Sequence, residues 1–254
     1  MQTVRRKKIF YRNNSGFSLI ELLVALVVAG VIIMGVYSAF KTQQDSYRAQ
    51  EQVAEMQQNI RAGFYIMARE LRMAGYDVDQ NGNRVSSVGI TAASATSITF
   101  TLVADNDGID NDNDASVTPA TPTTGTDEVG ELKTITYDIY DAYTDGVNDL
   151  GRRVGGVKAA VSENIEHLEF YYTLENGTQT VAPTIAQLSY IRSVQISVLA
   201  ITRHPDRKYT NTNQYCPASN ANCANPAPAT IWQVNDNFRR RFQTMAVKLR
   251  NVGL

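Results

Sequence analysis

The sequence predicts an α+β protein, with one long N-terminal helix packed on a mainly antiparallel, β-rich head. Three observations carry that expectation. An uncharged, mostly apolar run extends from Leu22 to Phe40. A helical pattern then continues to Gly75 with no proline in the run from Phe17. Beyond Gly75 the apolar residues fall into short segments rich in Ile, Val, Thr and Tyr, the habit of strands. A helix on an antiparallel sheet buries one face of each, and that defines the class.

The first element opens on charge. Arg5, Arg6, Lys7, Lys8 and Arg12 crowd the N-terminus, although the whole chain of 254 residues has a formal net charge of only -1. The run Leu22–Phe40 spans about 28 Å as a helix, close to the hydrocarbon thickness of a bilayer. Positive charge on its N-terminal side keeps that side in the cytoplasm and sends the rest outward. A removable secretory signal fits poorly, because the apolar run is long and no A-x-A site follows it. A plain signal anchor accounts for the apolar run but not for the residues just before it.

Those residues are Gly16-Phe17-Ser18-Leu19-Ile20-Glu21. Set between a basic leader and an apolar helix, they closely resemble the type IV prepilin signal. The resemblance implies a pilin-like fold and cleavage by prepilin peptidase between Gly16 and Phe17, with methylation of the new Phe17 amine. It also implies that Glu21 neutralises the Phe17 amine of a neighbouring subunit during assembly. Read from the residues alone, Ser18 and Glu21 form the S-x-x-E pattern of a capping box. A carboxylate at the edge of a membrane span calls for a partner, and the two roles are compatible. Ala25, Ala29, Gly30 and Gly35 would let helices approach closely, and are equally ordinary content of a membrane helix.

From Val53 the helix turns amphipathic. Val53, Met56, Ile60, Phe64, Met67, Leu71 and Ala74 recur at three- and four-residue steps, with Glu51, Glu55, Arg61, Arg69, Glu70 and Arg72 between them. Gly75 is the expected stop. The organisation expected is therefore a leader over residues 1–16, a helix over 17–75 that is membrane-spanning to about 40, and a head over 76–254. Strands are expected at Ser97–Val103, Leu132–Tyr140, Ile165–Leu174, Ile191–Ile201 and Phe242–Leu249.

Short strings in the head narrow the resemblance. They are Arg69-Glu70-Leu71-Arg72-Met73-Ala74-Gly75-Tyr76, Glu163-Asn164-Ile165-Glu166-His167-Leu168-Glu169-Phe170, Ile191-Arg192-Ser193-Val194-Gln195-Ile196, and the closing Arg239-Arg240-Arg241-Phe242 with Leu249-Arg250-Asn251. Together they resemble PilW-type minor pilins, which are similar in turn to J-type pseudopilins of type II secretion. The implied partners are prepilin peptidase, other minor and major pilins, the inner membrane and the pilus assembly machinery. The implied location is the inner membrane, single-pass with a periplasmic head, and then the pilus at the cell surface.

Two loops interrupt the head. Residues 104–130 contain Asp105, Asp107, Asp110, Asp112 and Asp114, hard oxygen ligands suited to calcium. The spacing does not fit an EF-hand, and a solvated acidic turn is the plain alternative. No cofactor is required, and calcium is the candidate ligand. Residues 205–237 hold the only two cysteines, Cys216 and Cys223, expected as one disulfide once the head is exported, stapling a poorly packed excursion. Zinc is not expected, since these cysteines lack the usual C-x₂₋₄-C spacing.

An enzyme is not expected. His167 and His204 are the only histidines, and no nucleophile elbow, zinc-protease or complete phosphate-loop motif is present. Gly151 to Lys158 matches a phosphate loop only superficially. Arg239, Arg240 and Arg241 read as a solvated strand edge, so nucleic acid is not an expected partner. The function expected is a minor pilin that helps to initiate or cap filament assembly. The close alternative is a J-type pseudopilin, and the alternative of another class is a membrane-anchored, calcium-dependent surface binding module.

Overall fold

The computed structural model describes residues 16–76, 88–103, 132–220, 223 and 231–252. The run from Asp105 to Asp114 lies outside the described residues, as does the leader up to residue 15. The chain divides into two compact units, Met1–Ala49 and Gln50–Leu254. Helix α1 runs Leu19–Met73 and is long and apolar enough to cross a membrane. Its N-terminal part exposes its large apolar side chains from Leu19 to Phe40.

In the second unit, α1 buries Met56, Ile60, Gly63, Phe64, Met67, Ala68 and Leu71, the face that the three- and four-residue spacing marks out. The helix stops where expected. Gly75 takes φ +78°, a left-handed conformation that suits glycine, and its N–H donates to Thr101 O at 3.0 Å. A side chain there would meet Asn251 O at 2.9 Å.

That face packs on two antiparallel sheets. The first is a five-stranded meander, β1 (Gly89–Ala93), β2 (Ile98–Val103), β3 (Leu132–Tyr140), β4 (Asp149–Val154) and β5 (Val157–Ser162), in that spatial order. The second runs β11 (Arg240–Lys248), β8 (Ile191–Ile201), β6 (Ile165–Leu174) and β7 (Gln179–Thr180). A short ribbon pairs β9 (Gln214–Tyr215) with β10 (Trp232–Gln233). The strands expected at β3, β6 and β8 match in full, and those at β2 and β11 differ by one or two residues at their ends.

Strands β4 and β5 were not expected. They form a hairpin turned by Gly155 and Gly156, both at positive φ, and this hairpin occupies the stretch with the superficial phosphate-loop pattern. Helix and hairpin approach closely at Gly63, where a Cβ would sit 2.9 Å from Leu150 Cδ2 and 3.1 Å from Ser162 Cβ. Ser162 Oγ donates to Asn59 O at 2.8 Å across the same contact.

One buried polar group fixes the helix on this sheet. Arg152 Nε donates to both oxygens of Glu70, at 3.0 and 2.9 Å, and Nη2 donates to Oε1 at 2.7 Å. Tyr137 Oη donates to Glu70 Oε2 at 2.5 Å. Glu70, one of the charged residues that fall between the apolar positions of the helix, is buried. Burial, then the hydrogen bond to Glu70, drives the Tyr137 phenol far above its ordinary pKa, so it remains a donor.

Candidate functional site

At the head of α1, Phe17 is 89% exposed and immediately precedes Ser18 and the first helical turn. Ser18 N–H donates to Glu21 Oε2 at 3.0 Å, and Leu22 N–H donates to Ser18 O at 3.2 Å. Glu21 therefore makes one arm of the capping box, satisfying an N–H that the helix leaves unpaired. The acid also sits favourably at the positive end of the helix dipole. Ile20, Glu21, Val24, Ala25, Val28, Ala29 and Ile32 line one continuous face, shallow where the alanines fall. Gly16, Phe17 and Glu21 thus lie together at the entrance to an exposed apolar helix. The Gly16-Phe17 peptide bond lies in exposed chain, with the Glu21 carboxylate about one helical turn away.

The described residues of the second loop dock on the head at several points. Cys216 and Cys223 form a disulfide with Cα atoms 5.5 Å apart. Beside Cys216, the 3-10 turn Ala218–Asn220 docks on the outer face of the second sheet. Ala218 N–H donates to Ser197 Oγ at 2.9 Å, and Ser219 N–H and Oγ donate to the two oxygens of Glu169 at 3.1 and 2.6 Å. Further along, Trp232 stacks on His167 at 5.0 Å and meets Phe242 edge-on at 5.9 Å. Burial lowers the His167 pKa, with Glu166 opposing the shift and Arg240 reinforcing it. His167 is thus a packed partner of Trp232.

The arginine run is not a solvated patch. The Arg240 side chain is 2% exposed and pairs with Glu166 and, at 2.6 Å, with Asp236. Arg239 pairs with Asp206 at 2.8 Å and lies over the Tyr209 ring. Only Arg241 is exposed. Of the three acids that hold this corner, Asp206 and Asp236 have lowered pKa values. In Asp206 the largest cause is the Lys208 N–H, and in Asp236 it is the Arg240 hydrogen bond.

A small polar cavity of about 150 Å³ lies between Tyr143, Asp145, Asp149, Glu163, Asn164 and Arg203. Asp149 is buried there and accepts the N–H groups of Ala142 and Asn164 at 3.1 and 2.9 Å. Desolvation raises its pKa despite those bonds. Its geometry ties the β3–β4 loop to the β5–β6 turn. Among the described residues, no group of three or more His, Cys, Asp or Glu side chains is arranged to hold a metal ion.

Comparison with known proteins adds two matched segments. Residues 11–37 match the model of the prokaryotic N-terminal methylation motif. Residues 140–251 match the model of the type IV pilus-assembly protein W family. No curated protein matches the chain. Among solved structures, a type IV-like pilin from Thermus thermophilus is similar at 16% identity and a TM-score of 0.45, covering 78% of this chain and 98% of that one.

Proposed function

We propose, from the premise that this chain is a PilW-like member of the type IV pilin class, that it is a minor pilin helping to initiate or cap a filament. The observation that carries the reading is the contiguity of Gly16-Phe17, the Glu21 carboxylate and an apolar helix with an exposed face. Prepilin peptidase cuts after Gly16, and the Phe17 amine is methylated. The apolar helix anchors the subunit in the inner membrane with its head in the periplasm, and then enters the filament. Glu21 keeps its capping bond to Ser18 and offers its other oxygen to the amine of an incoming subunit. The role is structural, and no residue is assigned to catalysis. Calcium at the Asp105–Asp114 run is an accessory proposal, tested by titrating calcium into the detergent-solubilised protein.

Two substitutions separate charge from capping at Glu21. Gln retains an oxygen for the Ser18 N–H, whereas Ala removes both functions. Both E21Q and E21A are expected to lower recovery of the subunit in sheared filaments while its membrane level holds. Normal recovery of both variants would contradict the assembly role and favour an anchored binding module. Loss with E21A alone would reduce Glu21 to a helix cap.

A further inference from the structure

Natural sheets guard their open edges with short strands, bulges, prolines or charges. Three of the four edges of the two larger sheets are guarded. β7 has two residues. β1 carries a register shift between Ile90 and Ala92, and β5 pairs across a shift between Leu150 and Gly151. β11 differs. It pairs with β8 through nine residues, from Arg240↔Ile201 to Lys248↔Ser193, without a shift.

The hydrogen-bond phase tells which backbone groups face outward. Leu249 N–H donates to Arg192 O at 3.0 Å, and Thr202 N–H donates to Arg239 O at 2.9 Å. Odd-numbered residues of β11 therefore face β8. The N–H and C=O groups of Phe242, Thr244, Ala246 and Lys248 point to the open side, where no strand pairs among the described residues. Gln243, Thr244 and Ala246 are exposed, and the stretch Phe242–Val247 carries no charge. The buried guanidinium of Arg240 is turned away to Glu166 and Asp236, so it does not guard the edge.

We infer that the open edge of β11 is a strand-addition site for a different subunit, whose added strand carries acidic side chains near its ends. The charges exclude a second copy as the favoured occupant. Arg241 and Lys248 stand exposed at the two ends, with Arg250 just beyond. With the even-numbered groups outward, antiparallel pairing of two copies sets Arg240 opposite Lys248 or Arg250 at each end, with Arg241 one residue away, so cations gather at both ends. Backbone bonds supply the affinity, and the flanking charges select the partner. This inference rests on the filament reading, which supplies unlike subunits side by side.

The test places a photoreactive benzoylphenylalanine at Ala246 of the full-length protein in its host, and separately makes Ala246→Pro. Proline there removes an outward N–H and none of the bonds to β8. The expected result is a crosslink to a different subunit, mapped to an acid-flanked strand. Loss of the edge bonds is expected to lower that subunit's co-purification with A246P about tenfold. Crosslinks only to a second copy, or none while the wild type enters filaments, overturn the inference. So does full co-purification with A246P. If A246P fails to accumulate, the crosslink alone decides. Absence of the wild type from sheared filaments, with the crosslink to a different protein intact, would sink the filament reading and spare the edge.

Discussion

Glu70 on α1 and Arg152 on β4 form a side-on ion pair, with Nη2 2.7 Å from Oε1, and Tyr137 Oη closes on the other carboxylate oxygen. The pair fixes the rotation and height of the helix on the first sheet. It also explains why a charged residue sits in an otherwise apolar stripe between Met67 and Leu71.

Removing one partner strands the others. Glu70→Ala leaves the Tyr137 hydroxyl and a half-buried guanidinium without their acceptor. Breaking a buried pair costs about 3–5 kcal/mol, and the partial exposure of Arg152 lowers the expected loss to about 2–4 kcal/mol. Thermal unfolding of the detergent-solubilised chain should show it. An E70A midpoint within a degree or so of wild type would mean that the pair fixes nothing.

The helix stop makes a second, purely steric claim. Gly75→Ala must hold a left-handed φ of +78° and place its Cβ near the Asn251 carbonyl. Left-handed backbone alone costs a side chain about 1–2 kcal/mol, and a backbone neighbour cannot swing away. A Gly75→Ala midpoint equal to wild type would show that the helix end and the C-terminal segment are not packed as described.

Trp232 is the only tryptophan, so its emission reports the covering loop. Replacing Cys216 and Cys223 with Ser removes a short closed loop, worth about 2–3 kcal/mol if strain is small. The expected outcome is a red shift of Trp232 emission and faster proteolysis within 205–237, with the rest of the head retained. Unchanged emission and proteolysis would mean that Glu169, Ser197 and the aromatic contacts hold the loop unaided.

His167 gives that loop a pH dependence whose sign is fixed. Burial lowers its pKa in the fold, so between the folded value and the ordinary value near 6.5 the unfolded chain binds more protons. Stability is full above that ordinary value and falls as pH drops through the window. Glu166, Arg240 and Asp236 are the charged groups around the site. Asp236 and Asp206, with lowered pKa values, lose their contribution only at more acid pH. His167→Phe should abolish the loss nearer neutrality and leave the acid one. Persistence of the first loss in that variant would assign it elsewhere.

What was legible in the sequence was local. Gly16 to Glu21 is a linear signal, complete within six residues. β3, β6 and β8 announce themselves by β-branched and aromatic runs long enough to bury. The β4–β5 hairpin does not. Its strands carry Gly151, two arginines and alanines, and Gly151 is small because the Tyr140 ring and Lys158 lie where a Cβ would go. Partners far apart in the chain were equally hidden. Glu70 and Arg152 are 82 residues apart, and Glu166 and Arg240 are 74 apart, so a charge in a stripe or a run of arginines gave no hint of its acceptor. The packing of Trp232 on His167 needed the second sheet to be assembled first.

The most direct measurement is the intact mass of the protein from its native host, with fragmentation of its N-terminus. The account predicts a chain that begins at methylated Phe17, with Cys216 and Cys223 oxidised, and that is recovered in sheared filaments. A mature chain that still carries Met1 to Gly16 would contradict it.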